Sequence, residues 1–382
     1  MAASSTKPTV AYIVSNELYS SLLPSNKNRS LLVHSLVKSY GLLSPGASSE
    51  ANIRLMPPVP ADRDALAMYH SNGYLDFILD PQNSSGDASA SAGDDGRHAE
   101  FGVEEDCPVF RGLPEYVRLV AGATLTAARA LIENRAHVAI CWDGGRHHAQ
   151  KARASGFCYV ADCVLALLAL KRAFLHAQPA GAPPHIVTLS LHHAARGFFP
   201  ATALAGLSDA DAPGADPCTL AVPLGAGAAN ATVARVWRGV ERVAAAFRPD
   251  FVVLQCGADG LAGDPCALWN WALGGDGGMG WCVDRVCNIW GCKTLLLGGG
   301  GYNSPNVARA WTYLTSIALR QPLPLESDIP DHSAFPLYAP GFTLDVPAGN
   351  AQDQNTDEYL QIVESRLDRA AELIRERIGD VA

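Results

Sequence analysis

The sequence predicts an α/β fold, a single-domain open parallel sheet with helices on both faces. Strand-like and helical apolar segments alternate along the 382 residues, without an internal repeat. Three Gly-containing polar segments, at residues 142–159, 255–265 and 297–315, each begin where a strand-like run ends. Ligands of open parallel sheets bind outside the carboxyl ends of the strands, so these segments should line one site. One domain is expected over residues 1–382, with a disordered surface insertion at 81–98, which is rich in Ser, Gly and Asp.

Hydrophobic periodicity predicts the individual elements. Short, continuously apolar runs indicate buried strands, and apolar residues three and four positions apart indicate helices with one buried face. We expect strands at residues 9–15, 137–142, 185–193, 251–255 and 293–297, and helices at 30–40, 113–134, 160–175, 231–247 and 356–378. Five apolar residues of the last helix share a face that should pack on the sheet: Leu360, Val363, Leu367, Ile374 and Ile378.

The composition argues against several functional classes. A net charge of −9 does not suit direct binding to nucleic acid, which needs clustered Lys and Arg. No run of about 20 apolar residues exists, and the first ten residues lack an apolar signal-peptide core, so neither a membrane nor a secreted protein is expected. Ten cysteines without a CxxC pair indicate buried thiols in a reducing compartment.

The most informative motif is WDGGRHHAQKARASGFCY, at residues 142–159. His147 and His148 are adjacent on a Gly-containing turn after a strand, so both imidazoles can reach one substrate atom. Histidine is the side chain that exchanges protons near neutral pH. The motif therefore predicts an active-site loop, although two histidines placed there by chance remain an alternative for this motif alone.

The glycine run at residues 298–301 lets the backbone approach a ligand closely and places the phenol of Tyr302 at the rim. A plain strand-to-helix turn or a phosphate cradle is the alternative. Neither GxGxxG nor GxxxxGK[ST] is present, so no nucleotide site is expected.

Together, these motifs resemble those of class I zinc-dependent histone deacetylases. The resemblance runs from AYIVSNELYS at residues 11–20 to IPDHSAF at 329–335, and the chain is most similar to fungal relatives of the eighth human class I enzyme, although Arg146 replaces the commoner small or aromatic residue. It implies the arginase/deacetylase fold and zinc-dependent hydrolysis of acetyl-lysine in histones or other proteins. It also implies chromatin regulation, transcription repression, and a location in the nucleus, the cytoplasm or both.

The resemblance implies roles for individual residues. His147 and His148 would be the general base and general acid, and Tyr302 would hydrogen-bond the carbonyl oxygen as it becomes an oxyanion. Asp259 would be a Zn²⁺ ligand. The remaining residues implied to bind substrate or to line the acetate exit channel are Asp106 at the mouth, Gly156, the tunnel walls Phe157 and Phe199, Cys266, Gly300 and, in the channel, Arg29.

Several of these residues also have a purely structural interpretation. Phe157 and Phe199 are ordinary core candidates, because large aromatic residues are usually buried. Asp259 precedes a glycine and could cap a helix, and Asp106 could be a solvated loop charge. Arg29 could be a surface charge. Only the joint occurrence of the motifs in family order favours the functional roles.

The chain departs from the family in one segment. Family members carry an Asp-x-Asp-x-His-type strand after the helix that follows the histidine loop. Here HAQPAGAPP, at residues 176–184, stands in that place, and residues 161–215 contain no Asp-x-His or His-x-Asp pair. Two of three zinc ligands, the carboxylates that orient the histidines, and one central strand thus have no counterpart. Catalytic zinc needs three protein ligands, so we expect Asp259 alone not to retain it and hydrolysis to be impaired.

Other residues of this region do not replace the missing ligands on sequence grounds. His192 and His193 lie at the carboxyl end of their predicted strand, but the corresponding family strand carries a histidine that does not bind the catalytic zinc. Ser190 and Leu191 resemble contributors to a K⁺ site of the family, whose other members would lie in the missing segment.

Three functional classes stay open. The first is a lysine deacetylase acting on histone tails or other proteins, and the acidic run at residues 104–106 would suit such lysine-rich partners, although a solvated loop explains it equally. The second is a catalytically silent homologue that docks in a corepressor complex. The third is a ureohydrolase or polyamine deacetylase on the same architecture.

Overall fold

The structure is a computed structural model that describes residues 7–15, 23–26, 28–84, 96–104, 106–177 and 185–379. Most of the predicted insertion, residues 85–95, and most of the segment that replaces the family strand, residues 178–184, lie outside these ranges. The chain divides into two compact units, and the expectation of one domain stays a prediction. Unit 1 comprises Met1–Ala173, Phe251–Ala258 and Val286–Leu344, and unit 2 comprises Phe174–Asp250, Asp259–Arg285 and Asp345–Ala382.

Strands and helices alternate along the described chain as the α/β prediction requires. The strands are β1 (Thr9–Ile13), β2 (Asn52–Met56), β3 (Val138–Cys141), β4 (Thr188–His193), β5 (Thr219–Leu224), β6 (Phe251–Gln255) and β7 (Lys293–Leu297). The helices are α1 (Arg29–Ser39), α2 (Arg63–Ala67), α3 (Asn72–Ile78), α4 (Arg97–Phe101), α5 (Leu113–Ile132), α6 (Asp162–Ala177), α7 (Asn230–Phe247), α8 (Met279–Asp284), α9 (Ser304–Ala318) and α10 (Asp357–Gly379). None of these helices is long and apolar enough to cross a membrane.

Unit 1 is built on a five-stranded parallel sheet in the order β2-β1-β3-β7-β6. Side chains of β1 show that helices cover both faces, because neighbouring residues of a strand point to opposite sides. Ala11 and Ile13 pack in one cluster with α5, whereas the Tyr12 hydroxyl is 2.8 Å from Nδ1 of His34 in α1. The predicted fold class, a parallel central sheet flanked by helices, is therefore confirmed.

Three adjacent strands position the polar segments singled out in the sequence. β3, β7 and β6 are neighbours and run parallel, so their carboxyl ends lie at one edge of the sheet. The segments that begin at residues 142, 255 and 297 leave the strands at that edge. Trp142 follows β3 directly and stacks on Trp311 of α9, with ring centroids 5.3 Å apart. This stack fixes the start of the histidine loop against a helix.

Unit 2 contains a second parallel sheet, formed by β4 and β5, which is covered by α7 and α10. The apolar face predicted for the last helix is confirmed, since it packs with the residues of β5 and α7. Arg235 of α7 binds Glu364 of α10, with Nε 2.9 Å from Oε1, and Arg242 pairs with Asp368 one turn further along. Four of the five predicted face residues are buried and the fifth is partly buried: Leu360, Val363, Leu367, Ile374 and Ile378.

The strands β6 and β4 are less buried than the strands they pair with, β7 and β5. β3 is buried along its whole length, whereas all five residues of β6 are half-buried, and β4 has no buried residue. Within the described chain, β6 pairs only with β7, and β4 pairs only with β5. Central parallel strands are normally covered on both faces and paired on both edges. Within the described chain, β6 and β4 are therefore edge strands of their sheets, and the expectation that a central strand is lacking stays a prediction.

We predict that hydrogen–deuterium exchange distinguishes β6 from its neighbours. Amides of β6 that point away from β7 have no strand partner in the described chain and should exchange faster than those of β3 and β7, which are paired on both sides. Exchange followed by mass spectrometry or NMR measures this. Equal protection throughout β6 and β7 would contradict an uncovered β6 edge.

Candidate active site

A single buried carboxylate holds the backbone of the histidine loop. Asp162 is the first residue of α6 and is completely buried. It lies 14 positions after His148 in the sequence. Its Oδ2 accepts hydrogen bonds from the Gly145 N–H at 2.9 Å and the Thr124 hydroxyl at 2.5 Å. Its Oδ1 accepts the Arg146 N–H at 2.6 Å. Two successive peptide groups before His147 are thereby fixed in position.

Gly145 lets the loop approach the glycine run that follows β7. Its φ of +89° lies in the left-handed region, and a Cβ built there would lie 2.5 Å from the carbonyl oxygen of Gly298. No side chain fits at that distance. The close approach places the histidine loop against Gly298 and Gly299, as the position of both segments at one sheet edge predicted.

The two histidines contact each other directly. Nε2 of His147 is 2.8 Å from Nε2 of His148, and the rings are nearly perpendicular, at 82°. At this distance one Nε2 carries a proton and donates it to the other Nε2, which accepts it. If both Nε2 atoms carried a proton, this hydrogen bond could not form. The pair is therefore suited to hold a single shared proton rather than two positive charges.

The electrostatic environment keeps both imidazoles neutral. His147 is exposed to solvent at its surface, but the protein atoms around it desolvate the imidazole, and the neighbouring His148 and Arg146 add to this effect, lowering the pKa of His147 to about 3. Desolvation also lowers the pKa of His148, against the opposing charge of Asp106. Neutral imidazoles at pH 7 are able to accept a proton, which is what a general base requires.

An aromatic wall lies next to the histidine loop. Phe157 is half-buried, and its ring centroid is 5.6 Å from that of Tyr302. Phe157 has a φ of +62°, an unusual conformation for a bulky residue that costs on the order of 1–3 kcal/mol and that clusters at functional sites. The preceding residue is held by a carboxylate, because the Gly156 N–H donates to Oδ2 of Asp106 at 2.6 Å. Asp106 thus shapes this wall and is not a free loop charge.

Arg29 is buried, so its interpretation as a surface charge is wrong. Its Nη1 donates to the Gly301 carbonyl at 2.8 Å, and its guanidinium lies 5.0 Å from the ring centroid of Trp311. Desolvation, and to a smaller extent repulsion from Arg146, lowers the pKa of Arg29 to about 10. The neighbouring Gly300 carbonyl accepts the Ala258 N–H at 3.1 Å, which ties the end of the β6 segment to the glycine run.

Eight of the eleven predicted site residues belong to unit 1, and three belong to unit 2, where they are described by themselves. Phe199 is 48% exposed, so it is not a core residue of its unit. Asp259 lies half-buried in a turn. Cys266 is exposed, and its N–H donates to Asp264 Oδ1 at 2.9 Å. Burial, with the charges of Asp264 and Asp259, raises the pKa of the Cys266 thiol.

The donors in the described ranges do not fit a catalytic zinc ion. No three His, Cys, Asp or Glu side chains among these residues are grouped so that they could hold a metal. Both ring nitrogens of His192 are hydrogen-bonded, Nδ1 to the Ser190 hydroxyl at 3.0 Å and Nε2 to the Ala205 carbonyl at 2.9 Å. His193 Nδ1 is bonded to the Leu224 carbonyl at 3.0 Å. Catalytic zinc sites use three protein ligands, so these residues do not supply the set.

Two features of the site were not found from the sequence. Asp162 reads as an acidic residue in the first turn of an apolar helix, which is a common capping pattern, and nothing in the sequence shows which donors it binds. Tyr116 is buried in α5 within the electrostatic range of Arg146 and Arg29. The only sequence signal for this electrostatic interaction was the unusual Arg146 itself.

A family model and individual known proteins both match this chain over most of its length. The model of the histone deacetylase domain matches residues 23–178 and 176–318. "Histone deacetylase 8" of Xenopus tropicalis is 36% identical over 348 residues, covering 87% of this chain and 89% of that protein. The protein of the same name from Danio rerio is 36% identical over 376 residues, covering 94% of each chain. Human "Histone deacetylase 1" is 32% identical over 371 residues, covering 93% of this chain and 72% of that protein.

We predict that Asp162→Ala is strongly destabilising. The substitution leaves two N–H groups and one hydroxyl without their buried acceptor, at a cost of about 1–3 kcal/mol each if unrelieved. The free energy of unfolding from urea titration should fall by about 3 kcal/mol or more. The matched control is Asp76→Ala, which removes an exposed ion pair with Arg63 and should cost about 1 kcal/mol or less. Equal losses for the two variants would contradict the role of Asp162.

We also predict that the His147 imidazole stays neutral well below pH 6. Its folded-state pKa of about 3 lies below the ordinary value of 6.5, so only the unfolded chain binds the proton in between. The contribution of His147 to stability is therefore lost as the pH falls from about 6.5 towards 3. NMR titration of the ring protons, assigned with His147→Gln, measures this. A His147 midpoint near pH 6.5 would contradict it.

Proposed function

Because the chain belongs to the histone deacetylase family, we propose that it binds acetyl-lysine side chains of histones or other proteins and hydrolyses them at a strongly reduced rate. Family membership supports a lysine deacetylase by resemblance. The observation that carries the reduced rate is the lack of a three-donor metal cluster in the described chain. Binding of the substrate is supported by the arrangement of residues described in unit 1.

Substrate binding is supported by the arrangement around Phe157. Its half-buried ring offers an apolar surface for the lysine methylenes, and the fixed backbone at Gly156 leaves a carbonyl for a polar contact with the substrate. Asp106 would face the substrate backbone at the mouth, while holding this turn. Family resemblance also assigns substrate contacts to Phe199 and Cys266, which belong to unit 2, and to Gly300, which belongs to unit 1.

Proton transfer is supported by the neutral histidine pair. His147 and His148 share one hydrogen bond between their Nε2 atoms. A proton taken up by one ring can therefore pass to the other ring over a short distance. Tyr302, next to Phe157, is a phenol donor that would bind the carbonyl oxygen as negative charge develops on it. Arg29 would line the exit path of the acetate.

Under this proposal, the chain binds zinc only weakly. Family members depend on zinc, and Asp259 is the one matching ligand in this sequence. Loss of groups that orient a metal site typically costs 10–100-fold in affinity or activity, and loss of ligands costs more. Ser190 resembles a contributor to the family's K⁺ site, and its hydroxyl is 3.0 Å from Nδ1 of His192. Hydrolysis is therefore expected to be slow even when zinc is supplied.

The same observation favours a second candidate function, that of a catalytically silent homologue docking in a corepressor complex. Homologues of this family are nuclear or nucleocytoplasmic, and the same location is proposed here. The two candidates differ in whether any hydrolysis depends on the histidine pair. A third class, hydrolysis of acetylpolyamines, differs in its substrate.

We predict that the purified chain binds an acetyl-lysine peptide but hydrolyses it more than about 100-fold slower, with added zinc, than an active relative such as human histone deacetylase 1. Peptide binding is measured by fluorescence anisotropy and hydrolysis by acetate release. Asp106→Ala should weaken binding, whereas the matched surface variant Asp76→Ala should not.

Each outcome of this experiment is decisive. Slow hydrolysis that disappears in His147→Ala supports the impaired enzyme, and peptide binding without detectable hydrolysis supports the silent homologue. A rate equal to that of the relative, a preference for acetylpolyamines, or no peptide binding at all would each overturn the proposal.

A further inference from the structure

The second half of the histidine loop is a tight hairpin with Phe157 at its tip. Ser155 and Cys158 exchange both backbone hydrogen bonds, at 3.1 and 2.9 Å, so only Gly156 and Phe157 form the turn. Both turn residues have positive φ, +55° and +62°, as in a type I′ turn. A phenylalanine keeps such a conformation only where its surroundings enforce it. The position of Phe157 therefore depends on what holds the two ends of this hairpin.

One buried imidazole, that of His70, binds both ends of the segment 151–161, which contains the hairpin. His70 lies between α2 and α3 and is 3% exposed. Its Nδ1 is 3.2 Å from the Lys151 carbonyl oxygen, and its Nε2 accepts the Ala161 N–H at 3.1 Å. These two backbone groups stand on either side of the hairpin in sequence. His70 thus joins the ends of the segment through one rigid ring.

Neighbours of His70 hold the same segment. The Ser71 N–H also donates to the Lys151 carbonyl, at 2.9 Å, and the Tyr74 hydroxyl donates to the Tyr159 carbonyl at 2.7 Å. Tyr74 is completely buried, and its ring centroid is 5.4 Å from that of His70. This part of the chain therefore supports the hairpin, although neither the sequence motifs nor the family resemblance assigned it a role.

Both hydrogen bonds of the His70 ring require a neutral imidazole in one tautomer. A carbonyl oxygen only accepts and a backbone N–H only donates, so Nδ1 carries the proton and Nε2 is the acceptor. Protonation of Nε2 would place two donors, this N–H and the Ala161 N–H, against each other. The hydrogen bond to Ala161 would then be lost, and only the bond to Lys151 would remain.

The surroundings of His70 favour the neutral ring. Desolvation lowers the pKa of His70, against hydrogen bonds to two backbone carbonyls. The titratable side chains whose rings contact the imidazole are Tyr69 and Tyr74. On the side of the hairpin, the Lys151 side chain is exposed, and the carboxylate of Asp162 is bound by two N–H groups and one hydroxyl. The hairpin is therefore closed at neutral pH.

We propose that His70 is a positioning residue for acyl-lysine binding, whose neutral ring holds Phe157 in the substrate wall and whose protonation releases it. His70 acts through the hairpin and does not touch the substrate. The proposal rests on the proposed function, because the Phe157 wall has a ligand only if acyl-lysine binds there. It predicts that the affinity for an acyl-lysine peptide falls in acid with the midpoint of His70.

The positioning role is tested first on the chain without peptide, by NMR titration. The His70 ring protons, assigned with His70→Gln, should titrate below the ordinary value of 6.5. The amide signals of Phe157 and Ala161 should shift with the same midpoint, and these shifts should be absent in His70→Gln. The amide of Ala11 in β1 serves as the reference and should not follow this titration. Constant signals of Phe157 and Ala161 while His70 titrates would overturn the proposal.

Binding of an acetyl-lysine peptide, followed by fluorescence anisotropy as a function of pH, tests the consequence. His70→Leu removes both hydrogen bonds and should weaken binding about tenfold or more at neutral pH. His70→Gln keeps one donor and one acceptor that do not titrate, so it should restore most of the affinity and retain it to lower pH than the wild type. The matched control, His137→Gln, replaces a half-buried histidine just before β3 and should behave as the wild type.

The pH dependence separates positioning from a role in the fold alone. Weaker binding in His70→Leu, together with the same pH dependence in the wild type and in His70→Gln, would overturn the positioning role. Failure of the proposed function gives a different result, because the wild type would then bind no peptide while the Phe157 and Ala161 signals still follow His70. In that case the acyl-lysine function fails, and control of the hairpin by His70 stands.

Discussion

The geometry of the active-site loop depends on one buried carboxylate, Asp162. It accepts hydrogen bonds from the two peptide groups that precede His147 and from a hydroxyl of the helix behind the loop. A charge without access to water is stable only when such donors surround it, so the carboxylate and the loop fix each other. This mutual constraint places the two imidazoles in contact and directs the Arg146 side chain towards the protein interior.

The described chain combines a histidine loop held by buried hydrogen bonds with no group of three side chains that could hold a metal. The aromatic wall, the histidine pair and the glycine run belong to unit 1 and are held by short hydrogen bonds. The sequence departs from the family in the one segment that carries two of the family's zinc ligands, and the half-buried β6 and β4 are edge strands within the described chain.

Sequence periodicity predicted five of the seven strands and five of the ten helices of the described chain, because each of these has one apolar face or is apolar throughout. β6 and β7 match their predicted bounds, and the bounds of α7 and α10 differ from the predicted ones by at most one residue. The polar side of the site was less predictable. Asp162 resembles any helix cap, and the burial of Arg29 depends on Trp311, which is 282 positions away in the chain. Roles of Phe199, Asp259 and Cys266 rest on family resemblance, since they belong to the other unit.

The most direct test of this account is the zinc occupancy of crystals of the full chain grown with added zinc, measured by anomalous diffraction at the zinc edge. The account predicts no fully occupied ion beside His147 and His148, because the described donors do not form a three-ligand set. A single well-ordered, fully occupied zinc ion at that position would contradict it.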